Sequence, residues 1–127
     1  MGLGDLLFED EVFRIRGAVF EVHNEMGNGF LEAVYQECLE KELALSAVPY
    51  ISHPVLNLVY KGEPLIQVYQ PDLVCFDKII VELKAATSIA SVHRAQVMNY
   101  LKATGMRLGL IINFGTYPKA QIERIAL

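Results

Sequence analysis

The sequence predicts an α/β fold, a mixed sheet with an antiparallel hairpin portion and helices flanking it. Two observations predict it. Apolar residues recur at helical spacing in two N-terminal segments and one later segment, while short β-rich runs fill the middle and the end. The later helical segment lies between the third and fourth of those runs. Such a crossover makes that pair of strands parallel. At 127 residues, 53% hydrophobic and 20% charged, the chain has material for one buried core and is expected to form one domain over 1–127.

Phe8 to Met26 (FEDEVFRIRGAVFEVHNEM) carries Val12, Ile15, Val19 and Val22 on one helical stripe, and Gly27 is a natural stop. After the Gly27-Asn28-Gly29 turn, a second helix is expected over about Leu31 to Leu45, and Pro49 closes that region. Three β-rich runs follow as a meander: Val55 to Tyr60, Leu65 to Phe76, and Ile79 to Ala85. Lys61-Gly62-Glu63 and Asp77-Lys78 are their hairpin turns. Ser91 to Thr104 reads as a helix with Ser91 as N-cap and Gly105 as its C-terminal break. Arg107 to Phe114 (RLGLIINF) reads as a buried strand, and Gln121 to Ala126 as a short final one.

Composition excludes several functions. No apolar run approaches the roughly 18 residues of a membrane span, so no membrane partner is expected. Met1 to Asp10 lacks the basic start and apolar core of a secretory signal, and Leu6 stands where a myristoylation site at Gly2 needs Ser or Thr. Two cysteines, Cys38 and Cys75, do not make a disulfide scaffold, and a cytoplasmic location is the expectation. The net charge of −4 argues against broad, sequence-independent binding of nucleic acid through a basic surface. It leaves room for an enzyme that grips phosphates locally with a metal ion and a few cations.

The most hydrophobic strand, IIVELKAA from Ile79 to Ala86, holds two opposite charges. Glu82 and Lys84 are two residues apart and so share one side of the strand. Upstream, Asp72 precedes the hairpin, giving P-D, nine residues, E-x-K. Two carboxylates about 4 Å apart repel by around 4 kcal/mol at an effective dielectric near 20, and a divalent cation reverses that sign. Mg²⁺ favours one or two carboxylates with water and phosphate oxygens. Lys84 would then stabilise charge on the transition state. The competing reading is a solvated Glu–Lys pair worth about 0–1 kcal/mol. Register also matters. A strict two-residue turn at Asp77-Lys78 pairs Asp72 with Leu83, on the wrong face, so the site needs a bulge or a longer loop, and Pro71 invites such an irregularity.

Two helical pairs accompany this set. Gln96 and Tyr100 are four apart on the helix after the Glu-x-Lys strand, and Glu32 and Tyr35 are three apart on the second helix. Each pair also has a plain structural reading, as buried stripe, boundary residue or first-turn acid. Gly27-Asn28-Gly29 is helix punctuation rather than a nucleotide loop, and the scattered His23, His53 and His93 lack paired zinc-ligand spacing.

Across these blocks the chain resembles the GxxExxY protein family, a branch of the PD-(D/E)XK nuclease superfamily with RecB-like relatives. The resemblance rests on GNGFLEAVY, PDLV, IVELKA, VHRAQVMNYLK and RLGLIINFG, in that order. It implies a restriction-endonuclease-like αβββαβ core and phosphodiester hydrolysis dependent on Mg²⁺ or Mn²⁺. It assigns Asp72 and Glu82 as metal ligands, with the Leu83 carbonyl as a further one, and Lys84 as the catalytic lysine. By the same resemblance, Glu32 reaches metal directly or through water, and Gln96 and Tyr100 support the site and contact DNA. DNA is the expected substrate, with RNA as an alternative on the same residues. From another class, a non-catalytic adaptor that keeps this fold to bind nucleic acid or protein is the rival. A homodimer is one way for so small a domain to hold a duplex.

Overall fold

The computed structural model describes residues 7–127; the Gly2 start, expected to carry no acyl or secretory signal, lies outside them. The chain runs through α1 (Glu9–Met26), α2 (Glu32–Leu45), β1 (Tyr50–Ser52), β2 (Leu56–Tyr60), β3 (Glu63–Tyr69), β4 (Leu73–Cys75), β5 (Ile79–Lys84), α3 (Ser91–Thr104), β6 (Leu108–Asn113) and β7 (Gln121–Ala126). One mixed five-stranded sheet has the order β1-β4-β5-β6-β7. β5 and β6 are parallel across the α3 crossover, as predicted, and the other neighbours are antiparallel. Among the described residues, no helix is long and apolar enough to cross a membrane.

The sheet separates two apolar layers. Val12, Ile15, Val19 and Val22 of α1 and Tyr35, Leu39 and Leu43 of α2 pack on the face that carries Leu73, Val81, Leu83 and Leu110. Val97 and Leu101 of α3 pack on the other face, against Val74, Ile80 and Ile111. The close approach of α3 uses Gly109, where a Cβ would come 2.7 Å from Val97 Cγ1. The α1 helix ends at Gly27, which takes φ 73 and donates its N–H to the His23 carbonyl at 2.8 Å.

Three expectations are corrected. The three β-rich runs do not form one meander. β2 and β3 make a separate two-stranded ribbon, and the run Leu65 to Phe76 is split, with β3 ending at Tyr69 and β4 starting at Leu73. Pro71 explains the split, because it has no N–H to continue a ladder and the chain can leave one sheet for the other there. A further strand, β1, pairs with β4 through Tyr50↔Cys75; at three residues it is too short to show alternation. Finally, Ser91 is the first helical residue of α3 and Ala90 is its N-cap. The cap is supplied from inside the helix, as the Ala90 N–H donates to His93 Nδ1 at 3.3 Å.

Candidate active site

The turn between β4 and β5 decides which side chains meet. It has three residues, Phe76 to Lys78, so that Cys75 pairs with Ile79 and Leu73 with Val81. The extra residue moves the register by one relative to a two-residue turn and brings Asp72 opposite Glu82. Phe76 and Asp77 both take positive φ, 56° and 59°, to close it. Alternation does the rest. Val74 and Ile80 point into the α3-side layer, and Asp72, Glu82 and Lys84 therefore lie on that same side.

Asp72 and Glu82 each bond the backbone beside the other. The Asp72 N–H donates to Glu82 Oε1 at 3.0 Å, and the Leu83 N–H donates to Asp72 Oδ2 at 2.7 Å. The Tyr69 hydroxyl donates to Glu82 Oε2 at 2.8 Å, and its ring stacks on Tyr100 of α3 with centroids 3.6 Å apart. From the opposite layer, the buried Gln36 donates through Nε2 to the Asp72 carbonyl at 2.9 Å, and the His53 N–H donates there too at 2.9 Å. Gln36 is itself fixed by a bond to Glu40 Oε2 at 3.0 Å. The Asp72 peptide is thus held through N–H and C=O at once.

Burial pushes the Glu82 carboxyl above the usual carboxylate range, and the Asp72 charge adds to that; the Asp72 N–H, the Tyr69 hydroxyl and the Lys84 charge pull the other way. Burial, then the Glu82 charge, holds the Tyr69 hydroxyl far above the ordinary phenol value, so it remains a proton donor at neutral pH. Among the described residues no ion pair within 4.0 Å involves Lys84. The solvated Glu82–Lys84 pair, the plainest alternative reading of the strand, is not formed.

The exit of β5 is tightly held. The Phe114 N–H donates to the Lys84 carbonyl at 2.9 Å. The fully buried Asn113 grips Ala86 from both sides, donating Nδ2 to its carbonyl at 2.9 Å and accepting its N–H at Oδ1 at 3.0 Å. Gly115 fits here only as glycine, since a Cβ would meet the Ala86 carbonyl oxygen at 2.2 Å.

The remaining candidates stand around this centre without touching it. Tyr100 reaches Glu82 through Tyr69. Gln96 is exposed and, with Val92, Asn99 and Tyr100, lines a groove of about 500 Å³ along α3. Glu32 is exposed in the first turn of α2, a helix packed on the far face, and no hydrogen bond joins it to Asp72 or Glu82. Among the described residues no three His, Cys, Asp or Glu side chains gather as a metal-binding cluster. Glu32 nonetheless follows Phe30 and Leu31, which with Ala85 and Ala86 line a cleft of about 380 Å³ just beyond Lys84. Tyr35 is buried and holds that corner shut. Its hydroxyl donates to the Gly27 carbonyl at 2.5 Å and accepts the Phe30 N–H at 3.2 Å, while its ring stacks on Phe114 at 4.5 Å.

Residue-by-residue reading missed Tyr69, Gln36 and Asn113. Asn113 had a signal of its own, a lone amide inside RLGLIINF, as anomalous there as Glu82 is in its strand. Tyr69 and Gln36 had none, because a tyrosine and a glutamine on half-buried elements are ordinary.

With this geometry in hand, the comparisons are specific. The family model of the PD-(D/E)XK nuclease superfamily matches residues 9–125. The chain belongs to this superfamily. Pro71-Asp72 and Glu82-Leu83-Lys84 supply the letters of the PD-(D/E)XK name. A solved structure titled "Crystal structure of SSO0001" aligns with a TM-score of 0.55 and 17% identity, over 75% of this chain and 50% of that one. At that identity the likeness concerns the fold, and this chain spans half the length of that protein. No curated protein matches the sequence significantly. Membership in the PD-(D/E)XK superfamily points to a nuclease-like function that handles nucleic acid, in a superfamily that typically uses divalent metals.

The Tyr69 bond gives a direct test of the electrostatics. In Tyr69→Phe the Glu82 carboxylate loses a hydrogen bond that favours its charged form, so its titration moves to still higher pH, read by carboxyl-carbon NMR of the labelled glutamate. An unmoved titration means that the hydroxyl does not hold the carboxylate.

Proposed function

We propose that this PD-(D/E)XK protein, read as a GxxExxY-type branch member, is a divalent-metal-dependent deoxyribonuclease whose site is Asp72, Glu82 and Lys84. One observation carries the reading: two carboxylates on neighbouring strands exchange bonds with each other's backbone, and one of them is held above its usual range by burial and by the other's charge. A folded protein gains nothing from that repulsion unless a cation offsets it.

The donor set fits a hard cation such as Mg²⁺ or Mn²⁺. It is all oxygen, two carboxylates with the Leu83 carbonyl beside them. Asp72 Oδ1 accepts no hydrogen bond from the described residues. Glu32 would add an outer acid from the cleft beyond Lys84. When bound, a divalent cation would let both carboxylates ionise together and draw negative charge from the phosphate oxygens.

The chain's own residues supply the rest. Tyr69 and the Asp72 N–H orient Glu82, and Gln36 and the His53 N–H orient Asp72. Water attacks phosphorus in line and the P–O bond opposite breaks, with Lys84 stabilising the charge that develops on the phosphate oxygens. Gln96 and Tyr100 on the α3 groove take the DNA backbone.

The test is duplex DNA cleavage and Mn²⁺ calorimetry on the parent and on Glu82→Ala. The parent is expected to bind Mn²⁺ and cleave, and the variant to lose both. Undiminished cleavage by the variant removes this site. An intact fold that takes up no Mn²⁺ favours the adaptor reading, and an RNA arm alongside the DNA separates the two substrates.

The raised Glu82 carboxyl also sets a pH dependence. A carboxyl that is harder to ionise folded than unfolded stabilises the fold fully below the unfolded value and loses that contribution as pH rises through the folded one. Metal-free protein therefore loses stability across the interval between the ordinary carboxylate value and the higher Glu82 value. Mn²⁺ acts in the opposite sense, since it needs the ionised form. Its thermal stabilisation should be full above that interval and vanish below it, read by melting at several pH values with and without Mn²⁺. A stabilisation that is equal at all pH values would show the cation binding elsewhere.

A further inference from the structure

The β2–β3 ribbon is apolar on the wrong side for a free surface. Leu56 and Leu58 face inward and pack on the α3 layer. The rest of its large apolar residues face outward. Ile66 is 97% exposed, and Val55, Val59, Tyr60, Leu65 and Val68 are each between 42% and 61% exposed. Ile66 lies in an irregularity where the register jumps from Asn57↔Val68 to Val59↔Pro64, so that three residues of β3 oppose one of β2 and push outward.

We propose that this outer face is the contact through which two copies of the chain associate. Three observations select a second copy over other occupants. The first is area: the six side chains offer roughly 600 Å² per copy, so two copies bury about 1,200 Å², the lower end of stable interfaces. The second is charge. The chain carries −4, so copies repel unless they meet on a neutral face, and from Val55 to Tyr69 the only charges are Lys61 and Glu63 at the turn, which cancel. The third is the ribbon itself. Two strands alone are marginal in water and need packing on both sides, and here only the inner side is covered. A phosphate-bearing partner finds only Lys61 along this face, so nucleic acid is not what it is built for.

The experiment is sedimentation of the full chain, metal-free, over a range of micromolar concentrations, for the parent, for Val59→Lys with Ile66→Lys, and for Phe13→Lys. Phe13 is an exposed apolar residue on α1, away from the ribbon. The parent and Phe13→Lys are expected at twice the chain mass, and the double variant at the chain mass with unchanged circular dichroism. Hydrogen exchange of the parent gives a reading without substitution: the amides of residues 55–69 should exchange more slowly as concentration rises. A parent that stays at the chain mass throughout overturns the proposal, as does a dimer that survives the double substitution. Ribbon protection that appears only on adding duplex DNA overturns it in favour of a nucleic-acid surface. None of these readings depends on cleavage.

Discussion

Lys84→Ala is expected to lower kcat for DNA cleavage about 10²–10³-fold, equivalent to roughly 2.7–4 kcal/mol of transition-state stabilisation, while Mn²⁺ affinity stays close to that of the parent. The split follows from the geometry. Lys84 shares the face of Asp72 and Glu82 but is tied to neither by an ion pair, so its loss leaves both carboxylates and their hydrogen bonds in place. Its ammonium is aimed at the space where a phosphate would sit. Lys84→Arg keeps the charge but spreads it over a planar fork, and should recover only part of the rate. Quenched-flow cleavage beside calorimetry separates the two quantities. If Lys84→Ala lost Mn²⁺ binding and rate together, the lysine would be holding the site's shape rather than the transition state.

Gly115→Ala is expected to cost about 3 kcal/mol of folding stability and to lower the melting temperature by roughly 10 °C. The added methyl would stand 2.2 Å from the Ala86 carbonyl oxygen and 2.5 Å from its nitrogen, and both are backbone atoms that no rotamer change can move aside. The strand exit must shift, and the Asn113 grip on Ala86 opens with it. Because Ala86 lies two residues past Lys84, activity should fall further than the unfolded fraction explains. Melting curves, with activity measured well below the transition, check both parts. A variant as stable as the parent would mean that this corner is looser than its contacts imply.

The two substitutions differ in how visible they are in the chain itself. Glu82 and Lys84 are legible because ionisable side chains in an apolar strand are costly without a purpose. Gly115 is one of nine glycines and looks like any turn residue. Only the approach of two strand ends makes it irreplaceable. Tyr35 belongs to the block by which the chain resembles its family, yet in three dimensions it is a latch, its hydroxyl closing the Gly27 to Phe30 loop and its ring resting on Phe114. Glu32, its neighbour in that block, faces solvent at the rim of the cleft.

The sequence by itself determined the helices, the crossover and the charged residues of the central strand, because periodicity and the cost of burying charge are local properties. It could not determine where the Leu65 to Phe76 run divides, because a proline break and the choice of a second sheet depend on which edge is free to pair. It also left Asp72 undecided between two faces. That choice fell to a three-residue turn with two left-handed residues, whose closure over Pro49 and Cys75 is a tertiary contact. Strand alternation has a period of two, so one residue of turn length moves a carboxylate from one side of the sheet to the other.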